Sequence, residues 1–348
     1  MRVPGVYRLK RAARRFRNRF RPTALVLLYH RIIDLPSDPQ LLCVTKKHFA
    51  EHLEVLKKRA NVISLKHLNQ NLHNQNLIGR SVVVTFDDGY ADNFHNAKPL
   101  LEQFDIPATV FVASGYLENQ SGFWWDELDR LLLEPGTLPN SLRLSINGNE
   151  QKWELKNWSS YSEADYQRYQ PWNVLDKNDP TSRQSIYRSL HLFLRPFSDK
   201  ERRNVLDQLR TLAGTKSEGR PSHRTLSVDE IFRLDKGGLI EIGSHTVTHP
   251  VLSKLSSTEQ RFEIQKSKID LEEIVGHPIA SFAYPYGSKD DYTDETVDFV
   301  RKTGFECACS NFFDIVHQGI GHFQLPRVLI RDWDGKEFER QLEQWFLG

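Results

Sequence analysis

Two short stretches of the chain hold side chains whose types and spacing suit metal-assisted acid–base chemistry. The first is Ser81-Val-Val-Val-Thr-Phe-Asp87-Asp88-Gly89-Tyr90, where a β-branched apolar run ends in adjacent carboxylates and a glycine. Neighbouring acids in a confined place repel. A cation beside one of them relieves that cost and leaves the other a lone pair for a proton. Taken alone, Asp-Asp-Gly is equally a good turn sequence. The second stretch is Gly243-Ser-His245-Thr-Val-Thr-His249-Pro250, with two imidazoles four residues apart directly after another apolar run. On one helical turn that spacing puts both rings on one side, where they can take adjacent positions on a single ion. Two histidines and one aspartate leave coordination positions open, as a catalytic centre requires and a closed structural site does not.

The elements that must position these groups read as alternating strands and helices. Strands are predicted at Ala24–Tyr29, Ser81–Phe86, Thr109–Ala113, Leu239–Gly243, Ala280–Ala283, Phe305–Cys309 and Leu325–Ile330. Their nearly continuous apolar character suits parallel strands covered on both faces. Ser227 with Glu230 forms a capping box, Leu226 and Ile231 are placed as a staple, and Gly237-Gly238 closes that helix. Further helices are predicted from Ser257 to Gly276, from Thr293 to Gly304 and from Lys336 to Phe346. The alternation argues for a parallel α/β sheet, open or closed into a barrel, with active groups at the carboxyl ends of its strands. Residues 116–226 break the rhythm. They carry Trp124, Trp125, Trp153, Trp158 and Trp172 and the turn pairs Pro135-Gly136 and Asn147-Gly148, and read as an insertion on one loop. Trp124 and Trp125 can stack on a sugar ring or pack a helix, packing being the commoner use.

Thr85-Phe-Asp-Asp-Gly89 and His245-Thr-Val-Thr-His249-Pro250 resemble the first two motifs of the polysaccharide deacetylases, the NodB-homology or carbohydrate esterase family 4 domain. Phe282-Ala-Tyr-Pro-Tyr-Gly287 is similar to the third in Pro285, Tyr286 and Gly287. The resemblance implies a distorted parallel (β/α)7-type barrel over residues 22–348 with a long, mostly helical insertion. It also implies Asp87 as general base, Asp88, His245 and His249 as ligands of one divalent ion, and the Tyr286 N–H as a donor to the oxyanion. Zinc is the expected ion, with Co2+, Ni2+ or Fe2+ as substitutes. The expected reaction is N-deacetylation of an amino sugar in a polysaccharide or its lipid-linked precursor, within cell-surface polysaccharide biosynthesis. A deformylase, another amidase, or a silent carbohydrate-binding module are the alternatives.

Two departures stand out. Where the family's third motif has an arginine paired with the catalytic aspartate, this chain has Ala283, and Arg327 and Arg331 are both candidate replacements. No late Leu-x-His follows His249, while Leu28-Tyr29-His30 closes the first predicted strand. That resembles a circularly permuted subgroup and makes His30 the candidate acid, at a pKa suited to neutral operation. His322 is an alternative.

Composition narrows the setting. Hydrophobic residues make up 39% and charged residues 26% of 348, ordinary globular usage. Cys43, Cys307 and Cys309 are too few and scattered for a disulfide framework, and a C-x-C metal site is a minor reading beside buried thiols. Residues 1–21 hold nine Arg or Lys and no acid, which leaves the remainder of a +2 chain about seven units negative. This basic arm, with Leu9, Ala12, Ala13, Phe16 and Phe20 near helical spacing, is expected to make peripheral contact with an anionic membrane. With no secretory apolar run, a cytoplasmic location is expected. No nucleic-acid partner is expected, because the charge is confined to one end and no recognition fold accompanies it.

Overall fold

The computed structural model describes residues 22–215 and 219–347, so the basic arm, residues 1–21, lies outside the described residues. Two compact units form. One runs to Asp34 and takes in Cys43–Gly115 and the chain from Ser227 on; the other comprises Leu35–Leu42 and Tyr116–Leu226.

The first unit is built on β1 (Thr23–Tyr29), β2 (Asn61–Val62), β3 (Ser81–Phe86), β4 (Ala108–Val112), β5 (Ile240–Ser244), β6 (Ser281–Ala283), β7 (Cys307–Cys309), β8 (Val316–His317) and β9 (Val328–Leu329). Seven of these pair as β7-β6-β5-β4-β3-β1-β8; β2 lies on β3 and β9 on β1. Every pairing is parallel except β1 with β8. Leu325 bridges in parallel to Cys309, and three residues on, β9 pairs with β1. One segment thus joins the sheet's two edges and curls it into a ring of seven strand segments. The predicted strands are found to within a few residues, except that 325–330 is bonded as a bridge and a two-residue strand rather than one strand.

The helices of this unit are α1 (Lys46–Arg59), α2 (Leu65–His73), α3 (Lys98–Phe104), α4 (Val228–Asp235), α5 (Ser257–Val275), α6 (Asp294–Lys302) and α7 (Gly335–Leu347). The Ser227–Glu230 capping box is present, and Gly276 ends α5 in the left-handed conformation. Leu65, Leu68 and Leu72 of α2 join Ala24, Val26, Val83, Phe111, Ala283, Cys307 and Cys309 in one buried cluster that fills the ring. Gly243 makes room for it, since a Cβ there would come within 2.4 Å of the Phe111 ring. Burial pushes the Cys309 thiol up to about 12 and that of Cys307 well above its usual value. These thiols are core, not ligands.

Phe49, Leu53 and Leu56 give α1 its buried face, and His52 lies among them. Its Nε2 donates to the Trp333 carbonyl at 2.7 Å, so Nδ1 accepts from the Tyr29 hydroxyl at 3.2 Å, and the ring stacks on Phe338 at 4.0 Å. Desolvation lowers this imidazole to about 4, against the raising effect of the Trp333 carbonyl. Between pH 6.5 and 4 the unfolded chain therefore holds the extra proton and the folded chain does not. This contribution to stability is complete above pH 6.5 and is lost as pH falls toward 4, roughly 3 kcal/mol in all. Urea unfolding at pH 7 and pH 4.5 should give a shallower pH slope for His52→Gln than for wild type; equal slopes refute the assignment.

The second unit pairs helices, Trp124–Leu133, Ser182–Leu194 and Asp199–Ala213 among them, with a β-hairpin of Ser141–Ile146 and Asn149–Glu154. Helix outweighs strand in it, as expected, with the hairpin as an addition. Asn147 and Gly148 turn the hairpin with φ of 51° and 77°. Trp124 and Trp125 are buried, and Trp124 stacks on His191 at 4.9 Å with the Arg202 guanidinium 5.1 Å from its ring. They pack helices and are unavailable to a sugar. Among the described residues no helix is long and apolar enough to cross a membrane.

Candidate metal centre

The parallel register brings the ends of β1, β3, β5 and β6 together. Asp87 leaves β3 with its N–H on the Tyr29 carbonyl at 3.0 Å, tying it to the end of β1. Asp88 and Gly89 then take φ of 75° and 79°. Two successive left-handed residues fold the chain sharply, which is costly at Asp88 and persists only where surroundings enforce it. Both carboxylates are buried.

His245 follows β5 with its N–H on the Val112 carbonyl at 2.9 Å and its Nδ1 2.7 Å from the Ala283 carbonyl. A carbonyl only accepts, so Nδ1 carries the proton and the Nε2 lone pair faces inward. That Nε2 lies 3.7 Å from Asp88 Oδ1 and 3.8 Å from Asp87 Oδ2, while His249 Nε2 lies 3.4 Å from Asp88 Oδ1. The helical turn expected over 245–249 is absent. Thr246 and His249 have φ of 67° and 51°, and Thr246 Oγ1 accepts from the His249 N–H at 3.1 Å. A kinked loop rather than a helix brings the rings together, with centroids 4.8 Å apart.

Among the described residues Asp88, His245 and His249 are the group able to hold an ion, all buried, with one donor atom each within 4.8 Å of the others. Donors about 2.1 Å from a common tetrahedral centre would stand roughly 3.4 Å apart. The donor set and its spacing therefore suit a single divalent cation. Desolvation lowers His245, against the raising charge of Asp87, which favours the neutral imidazole a ligand needs.

Arg327 takes the place of the arginine missing at Ala283. Its two terminal nitrogens donate to Asp87 Oδ1 and Oδ2 at 2.7 and 2.6 Å, and Nε donates to the Ser310 carbonyl at 2.8 Å. Burial would raise the Asp87 carboxyl, but the Arg327 guanidinium, with the His245 and His30 rings, more than offsets it and holds the group below its ordinary value. Arg331 contributes a charge that helps lower His30.

His30 stands at the end of β1, its carbonyl held by the Asn93 side chain at 2.9 Å. Desolvation lowers its pKa to about 4, with the Asp87 charge opposing. The near-neutral value expected from its residue type is thus displaced, because burial outweighs the neighbouring acid. His322 lies elsewhere: its Nδ1 meets Asn69 Oδ1 at 2.7 Å and its ring stacks on His73 at 4.0 Å. Tyr286, with φ of 58°, sets its ring against His249 with centroids 4.7 Å apart.

The sequence matches the family described as Polysaccharide deacetylase over residues 74–140 and 213–308. The putative polysaccharide deacetylase YxkH of Bacillus subtilis (strain 168) is 33% identical over 89 residues, 25% of this chain and 30% of that protein. The match therefore spans under a third of that relative's length. Solved structures also resemble the chain, among them two that match over most of its length. The deacetylase PplD of Streptococcus pyogenes, in complex with acetate, has a TM-score of 0.57 at 17% identity, over 94% of this chain and 99% of that one. IcaB from Ammonifex degensii has a TM-score of 0.57 at 18% identity, over 94% and 98%. At such identities the likeness establishes the fold.

Proposed function

We propose that this chain, which belongs to the polysaccharide deacetylase family, hydrolyses the acetamide of an N-acetylated amino sugar in a polysaccharide or its lipid-linked precursor. The observation that carries the reading is the convergence of buried Asp88, His245 and His249 beside a second carboxylate, Asp87, clamped by Arg327. Asp88, His245 and His249 are the proposed holders of one divalent ion, taken to be Zn2+. When bound, such an ion polarises the acyl carbonyl and lowers the pKa of a water toward ~7.

The rest falls to the protein's own groups. Each Asp87 oxygen accepts one Arg327 hydrogen bond and keeps a second lone pair, so one of them takes the proton of the attacking water. The Tyr286 backbone N–H is the proposed donor to the tetrahedral oxyanion, a kind of contact whose loss costs roughly 10²–10³ in rate. A ring nitrogen of His30 is proposed to protonate the departing sugar nitrogen. Its lowered pKa keeps the protonated ring scarce at neutral pH, so the proton it delivers to nitrogen is the one Asp87 took from the water, which returns Asp87 to its charged form.

The test is an assay for released acetate and formate across N-acylated sugars, lipid-linked precursors and polymers, with divalent cations supplied and bound metal quantified. Acetate release by protein carrying about one ion per chain is expected. Formate in its place overturns the acyl assignment, and full turnover by metal-free protein overturns the centre.

A further inference from the structure

We propose that Glu263 of α5 is a positioning residue for the cation centre, gripping the loop that joins the two imidazoles and so fixing their separation. This rests on the metal reading of Asp88, His245 and His249 above. Between those histidines the backbone is not helical, and left-handed conformations at Thr246 and His249 are unfavourable for residues with a Cβ. Such a loop persists only if its surroundings over-determine it.

Glu263 supplies that determination. Its Oε2 accepts from the N–H groups of Val247 and Thr248, each at 2.8 Å, and its Oε1 from the Thr248 hydroxyl at 2.6 Å. The residue is 7% exposed, so a buried carboxylate directs its charge at three donors of one short loop, the stronger class of hydrogen bond. From the other side, the N–H groups of Ser114 and Gly115 reach the carbonyls of Thr246 and Val247 at 3.0 and 2.9 Å. One helical turn past Glu263, the Ser267 hydroxyl meets that of Ser244 at 2.6 Å, immediately before His245. An i, i+4 pair on α5 thus holds the loop in its middle and at its start. Loosening these contacts frees the loop that carries both rings and so the separation of their Nε2 atoms.

The experiment uses the full chain with Co2+ as probe, its affinity measured by competition with a chelator, together with amide exchange at Val247 and Thr248 in metal-free protein. Glu263→Ala is expected to weaken Co2+ binding about 10–100-fold and to speed both amides. Glu263→Gln is expected to stay near wild type, because its amide oxygen still accepts both N–H groups and its NH2 can donate to Thr248 Oγ1. Should Glu263→Ala fail to fold, Thr248→Ala removes only the hydroxyl contact and is expected to weaken binding by a smaller factor. Folded Glu263→Ala with wild-type affinity and exchange overturns the proposal, as does wild-type affinity in Thr248→Ala when that variant must serve. Wild-type protein that binds no Co2+ overturns the centre itself.

Discussion

Asp88→Ala is expected to abolish bound cation and turnover together, whereas Asp87→Asn should keep the cation and lose turnover by about 10²–10⁴. The two carboxylates are adjacent in sequence yet differently employed. Asp88 Oδ1 lies 3.4 and 3.7 Å from the two imidazole Nε2 atoms, so its removal leaves two neutral ligands beside an Asp87 whose charge is already matched by Arg327. Asp87 faces Arg327, and an asparagine there fills the same volume but accepts no proton. It also turns an N–H toward the guanidinium, leaving a buried donor unmatched at about 1–3 kcal/mol. Metal analysis beside acetate release separates the roles. One equivalent of ion in Asp88→Ala, or wild-type turnover in Asp87→Asn, would show that they have been assigned the wrong way round.

The second large effect is expected at Arg327. Removing one partner of a buried, hydrogen-bonded ion pair leaves the other charge uncompensated, so Arg327→Met should lose about 3–5 kcal/mol of stability in urea unfolding. With its fork gone, the Asp87 carboxylate can rotate, and misplacement by about 1 Å can cost on the order of 10² in rate. Arg327→Lys keeps a charge but not the planar pair of donors, and should fall between wild type and Arg327→Met in both measurements. Wild-type stability and turnover in Arg327→Met would mean that the Ser310 and Asp87 contacts do not orient the base.

Much of this was legible in the sequence because parallel strands advertise themselves. Six-residue β3 is wholly buried, and from Val82 its residues are apolar or β-branched without interruption until Asp87. The histidine pair was legible as a pair, but not its geometry: four-residue spacing suggests a helix, and only the left-handed residues of the loop replace it. The choice of Arg327 over Arg331 had no local signal, since its partner Asp87 is 240 residues away and ring closure sets the distance. Burial was equally silent at His30, where desolvation rather than residue type decides the proton affinity. Helix α1 could have been found. Thr45 is a good cap, and Phe49, Leu53 and Leu56 recur at helical spacing.

The short bridge at Leu325 and Val328 has a temporal consequence. Aspartates and imidazoles are all translated before it, yet the guanidinium that orients Asp87 rides on this late segment, between its contacts to opposite edges of the sheet. A nascent chain halted short of Gln324 would own every ion ligand and still lack its aligned base. Competence therefore waits on the seating of the final stave of the ring.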